Sequence, residues 1–152
     1  MPALRKSLLL HSGFIRTMTC IAWGRVAIAS AVARPDVRRA RLAVARKMVR
    51  KLRGEHDRWA GAVARMLEAS IAAVEGRREE AIAVMRDALE RLEATGTLVF
   101  HAPARYRLGQ LLGGDEGRAL MKVAAGDLEA QGIRDPSRWS EAYVPGTWSS
   151  AG

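Results

Sequence analysis

The chain has 152 residues, 49% of them hydrophobic and 27% charged, which suits one domain with a continuous core and excludes a disordered polyelectrolyte. Its one cysteine, Cys20, excludes an internal disulfide and any cysteine cluster for zinc or iron, and points to a reducing cytoplasm. The net charge of +9 is uneven: up to residue 58, 14 Lys/Arg stand against 3 Asp/Glu (+11), and beyond it 11 stand against 13 (−2).

Residues 1–33 read as one long helix with two apolar stripes. Leu4, Leu8, Ile15, Met18, Ala22 and Val26 form the first, expected to pack on the helix that follows. Leu10, Phe14, Ile21, Ile28 and Val32 form the second, expected to face outward and to meet a preceding repeat or a second copy, because a terminal repeat normally has a polar outer face. Arg5, Lys6 and Leu8 to Leu10 faintly resemble a secretory signal, but His11, Arg16 and Arg25 interrupt its apolar core. No run approaches the roughly 20 apolar residues of a membrane span.

Arg34-Pro35-Asp36 ends this helix, and residues 37–53 form a basic one. Val37, Val44, Ala45, Met48 and Leu52 fall on one side of its wheel and Arg39, Arg46, Arg50 and Arg53 on the other. Arg41 falls on the apolar side, where its guanidinium is expected to reach a carboxylate or an edge. In residues 57–74, Trp59, Val63, Met66, Leu67, Ser70 and Val74 recur at helical steps. In residues 78–94 the same is true of Ala81, Ile82, Met85, Ala88, Leu89 and Leu92. Leu108, Leu111 and Leu112, answered by Leu120, Val123 and Leu128, continue the pattern. Asp135-Pro136 reads as an N-cap and first turn of a short helix through Trp139, ended by Pro145-Gly146.

The helix stops alternate regularly. Pro35, Gly76 and Gly113 are 41 and 37 residues apart, and Gly54, Gly96 and Gly132 are 42 and 36 apart. Two interleaved series with a period near 40 predict an all-α fold of stacked antiparallel helix pairs. The pairs are 1–54, 55–96 and 97–132, with a capping helix at 135–144 closing a domain of residues 1–146 and a flexible tail at 147–152.

Gly76-Arg77-Arg78-Glu79-Glu80-Ala81-Ile82 resembles the turn and second-helix start of a tetratricopeptide repeat, whose small positions fall on Ala69, Ala81 and Ala88 and whose large second-helix residue falls on Met85. The pattern departs at Ala72, where the family has tyrosine, in lacking a closing proline, and in a period above 34 residues. Gly113 to Leu120 and Gln131 to Pro136 are similar to phrases in the C-terminal repeat tail of bacterial proteins that join a serine/threonine kinase, a regulatory ATPase and tetratricopeptide repeats. The resemblance implies a sensing or partner-docking tail, or a fragment of one, without the catalytic parts.

Gly113-Gly114-Asp115-Glu116 also resembles the signature of diguanylate cyclases. That chemistry needs a strand hairpin, whereas both flanks have helical periodicity, so the glycines read as a helix stop and the acids as a helix start. No Lys-Ser or Lys-Thr follows the glycines to make a phosphate loop. His11, His56 and His101 lack metal-ligand spacing. The sequence thus predicts no catalytic, cofactor or metal residues and a cytoplasmic protein-binding scaffold. Its candidate partner-binding residues are Leu10, Phe14, Ile21, Ile28, Arg39, Arg46, Arg50 and Arg53. The alternative is nonspecific binding of nucleic acid or an anionic surface by residues 37–53.

Overall fold

A computed structural model describes residues 2–149, with side chains from Gly13 onward. Among these residues the order is α1 (Pro2–Ala33), a single 3-10 turn (Pro35–Val37), α2 (Arg38–Arg53), α3 (Arg58–Val74), α4 (Arg78–Ala94), α5 (Leu98–Leu112), α6 (Gly114–Ala130) and α7 (Pro136–Tyr143). No described residue lies in a strand. The strongest packing is within the pairs α1/α2, α3/α4 and α5/α6, and α2/α3 and α4/α5 join successive pairs. No described helix is long and apolar enough to cross a membrane.

One turn chemistry is used three times. At the end of α3, Arg77 N–H donates to Ala72 O (2.9 Å) and Gly76 N–H to Ala73 O (3.2 Å), with Gly76 at φ 73°. Gly96 and Gly132 repeat it after α4 and α6. This positive-φ cap satisfies the last carbonyls and turns the chain back in a few residues, which is why glycines mark these three helix ends, whereas Gly54 closes α2 at φ −80° without it. At α7, Asp135 caps as its sequence predicts, its carboxylate accepting from Arg138 N–H (2.9 Å) while Pro136 takes the first position.

The core centres on α3, of whose 17 residues 12 are buried, six of them alanines. Helices α1, α2 and α4 pack on it, so it meets solvent only along a narrow strip at Arg65 and Glu68 and near its N-terminus, where Trp59 is half-buried beside Phe14 (ring centroids 6.0 Å). Full burial of Met66, Leu67, Met85 and Leu92 supplies about 1.5–3 kcal/mol each.

Three sequence expectations are corrected. On α1 the buried face is Thr17, Cys20, Ile21, Gly24, Ala27, Ile28 and Ala31, so Ile21 and Ile28 are core residues and not an outward stripe. The stripe expected to face α2 is the one in solvent: Ile15 is 59%, Met18 41% and Val26 61% exposed. Small residues let α1 approach closely: a Cβ at Gly24 would stand 3.0 Å from Leu67 Cδ1 and 3.5 Å from Met48 Cβ. On α2 the buried residues are Leu42, Ala45, Val49 and Leu52, which leaves Val44 and Arg41 exposed. Arg41 therefore faces water and needs no buried carboxylate. On α6 the contact residues are Gly117, Ala124 and Leu128, and Val123 is exposed. Leu4, Leu8 and Leu10 lie outside the described side chains.

The C-terminus is also corrected, since residues 147–149 do not form a flexible tail: Trp148 is 2% exposed and Val144 fully buried. Arg107 of α5 holds this segment, donating from Nε to Val144 O (3.0 Å), from Nη2 to Gly146 O (3.0 Å) and from Nη1 to Gln110 Oε1 (2.8 Å). Burial lowers its pKa to about 10, which leaves it charged at neutral pH. Arg107→Met should orphan two carbonyls and cost about 2–3 kcal/mol. Hydrogen exchange checks this: the amides of residues 144–149 should lose protection first, and unchanged protection there would remove Arg107 as the anchor.

Helix α7 packs on α5 and α6 and also reaches α1. Arg25 of α1 lies over the Tyr143 ring (4.5 Å to centroid), near Phe100 (5.9 Å), and donates to Ala142 O. Trp139 stacks on Tyr143 at 4.7 Å. The space between α1 and α5 is thus taken by the chain's own Tyr143.

Candidate functional site: an arginine-lined groove and an apolar helix face

Half of α2 is basic: Arg38, Arg39, Arg41, Arg46, Lys47, Arg50, Lys51 and Arg53, with no acid in its 16 residues. Its last turn carries three of these cations, where they complement the helix dipole. Burial of Leu42, Ala45, Val49 and Leu52 turns the cations away from α1 and α3. Some of them border a groove of about 320 Å³ between α2 and α4, floored by α3. Arg46, Arg50, Arg53, Arg65 and Arg77 line it with Glu68 and Glu80, and Val49, Ile71 and Val84 supply apolar surface.

Two ion-pair networks close the groove's ends. Arg46 and Arg77 share Glu75, and Arg77 also holds Glu80. At the other end Arg53 and Arg65 share Glu68 (Arg65 at 3.0 Å), and Arg65 and Arg91 share Asp87 (Arg91 at 3.0 Å). Burial pushes the Glu75 carboxyl upward, but hydrogen bonds from Arg77 and Arg46 outweigh it and leave its pKa below the ordinary value. Asp87 is lowered in the same way, burial being outweighed by Arg91 and Arg65. Between the networks stands Arg50, exposed, with no carboxylate partner among the described residues.

The sequence candidates therefore divide. Arg46, Arg50 and Arg53 come together in the groove, whereas Arg39 is exposed outside it. Phe14 is 57% exposed and touches Trp59, while Ile21 and Ile28 belong to the core. The side chain of Leu10 is outside the described set. Arg65, Arg77, Glu68 and Glu75 were missed; the i, i+3 spacing of Arg65 and Glu68 was a visible signal, but the pairing of α2 with α4 across α3 was not.

The remaining chemistry-bearing residues stay apart. Cys20 is a buried free thiol. His56 is exposed, and His101 is half-buried, its pKa lowered by burial and then by Arg105. Among the described residues no three His, Cys, Asp or Glu side chains gather as metal ligands. Gly113 and Gly114 join α5 directly to α6, with Asp115 and Glu116 exposed in its first turn and Glu116 paired to Arg86 (3.0 Å). No protein-family model matches the chain, and no curated protein and no solved structure gives a significant match.

Proposed function

We propose that this chain is a non-catalytic protein-interaction module of tetratricopeptide-like helix pairs, cytoplasmic, acting as the partner-docking or sensing tail of a bacterial signalling protein or as a fragment of one. The signalling context rests on the sequence resemblance alone. The observation that carries the docking reading is Arg50, an unpaired cation between two closed ion-pair networks in a groove with Val49, Ile71 and Val84 on its walls. An amphipathic segment with a carboxylate at its centre matches that surface: apolar side chains meet the floor, and the acid pairs with the cation that lacks a partner. Because Tyr143 fills the space between α1 and α5, the α2/α4 side is the more open surface for a peptide.

A second reading has its own observation. Arg39, Arg41, Lys47, Arg50 and Lys51 are exposed and free of carboxylate partners among the described residues, as a sequence-independent phosphate binder requires. Fluorescence anisotropy with a labelled acidic amphipathic peptide and a labelled DNA duplex, at 50 and 200 mM salt, separates the two. The docking reading expects peptide binding that Arg50→Glu weakens at least about tenfold and that salt changes modestly. Tight duplex binding that falls by about 10³ over this salt range, without peptide binding, establishes the second reading. Binding of neither probe defeats both.

A further inference from the structure

The solvent face of α1 carries Ile15, Met18, Ala22, Val26, Ala29 and Ala33 at steps of three and four residues, directly opposite the face buried against α2 and α3. None of these is charged. Arg16, on one flank, is held by Glu55 (3.1 Å), and Arg25, on the other, is turned onto Tyr143. Phe14 and Trp23, each 57% exposed, and Val32, 38% exposed, widen the face. Its six large apolar side chains leave roughly 600 Å² in water, at the upper end of the largest patch a monomer shows and near the about 800 Å² per partner of a standard interface.

We infer that α1 pairs antiparallel with α1 of a second copy, about a two-fold axis passing beside Ala22. The residue pattern is self-complementary around that point. Reversing the stripe about Ala22 sets Ile15 against Ala29, Met18 against Val26, and Ala22 against itself, so the longest side chains meet shorter ones and the smallest residue stands at the closest approach. Phe14 and Trp23 then cover the edges. A shallow recess between α1 and α7, lined by Ala22, Val26, Ala29 and Ala142 with Arg25, continues the face and gives a partner side chain a place to enter. The stripe itself is uncharged, and the eight cations of α2 stand on the helix packed against the other side of α1.

This surface is separate from the arginine groove, and the test keeps the two apart. Sedimentation equilibrium of the unmodified chain at tens of micromolar should give twice the 16.6 kDa monomer mass. Val26→Glu should give the monomer with unchanged circular dichroism, because Val26 is exposed within the chain. In a Cys20→Ala background, mild oxidation of Ala22→Cys should yield a covalent dimer. Ile15→Cys mixed with Ala29→Cys should cross-link, and either alone should do so at least tenfold more slowly. A monomer at these concentrations overturns the inference and leaves the face for another partner or a neighbouring repeat. A dimer indifferent to Val26→Glu, or fastest cross-linking of Ile15→Cys to itself, overturns the axis.

Discussion

Replacing Gly117 by alanine should destabilise the protein by about 3 kcal/mol or more, at the upper end for overpacking, because the added carbon meets backbone and not a yielding side chain. A Cβ on Gly117 would stand 2.3 Å from Gly109 O, and one on Gly109 would stand 2.7 Å from Gly117 O and from Met121 Cγ. The two glycines are where α5 and α6 touch, so relief requires the helices to separate. For a chain of this size each kcal/mol lowers Tm by about 2–4 °C, which predicts a fall of about 6–12 °C. Gly126→Ala is the matched control: it lies in the same helix with nothing within 4 Å of the added carbon, and there the better helix former should gain about 0.5–1 kcal/mol. Opposite signs in thermal melts support the crossing; equal effects would show that the close contact does not constrain the pair.

Ala88→Asp should have a comparable or larger effect. Ala88 and Ala81 are fully buried on the face that α4 turns to α3, and that contact is among the strongest between helices. An aspartate there must bury a charge without a partner or take up a proton, and either course costs several kcal/mol, about 4 or more with the overpacking included. Since a domain of this kind has a total stability of about 5–15 kcal/mol, much of the margin disappears. Urea titration followed at 222 nm should show the midpoint collapse. Ala83→Asp, exposed on the same helix, should stay within about 0.5 kcal/mol of the parent.

These two tests also show what was legible in the sequence. Helix boundaries were, because glycine caps and prolines punctuate a chain whose apolar periodicity is helical throughout. The long-sided faces of α3 and α4 were, because Met66, Leu67, Met85 and Leu92 are both large and inward. Faces that pack through small residues were not. On α1 Ile21 and Ile28 are buried among Thr17, Cys20, Gly24, Ala27 and Ala31, and on α6 Leu128 among Gly117 and Ala124, so with most contact positions small, ranking positions by side-chain bulk picked the wrong side of α1 and brought Val123 inward. Close approach rewards the absence of a side chain, and a scale that weighs apolar size is blind to it. The candidate site was legible in half: the cations of α2 are plain in the sequence, but the carboxylates that fasten Arg46 and Arg53 and leave Arg50 alone come from α3 and its following turn, 15 to 29 residues away.

The sheathing of α3 changes how the molecule comes apart. A linear array of repeats frays from its ends, each unit held by its neighbours alone. Here α3, the third of the seven described α-helices, is enclosed by α1, α2 and α4, and Arg25 fastens the first helix to the last. Water reaches the α3 amides only when several helices leave together, so α3 is the natural seat of the slowest-exchanging protons, while α6, with three buried residues, belongs to the faster class. The six buried alanines of α3 lie within that enclosure, so a longer side chain at any of them must displace a helix packed on it, and the loss falls on the whole assembly and not on a single repeat.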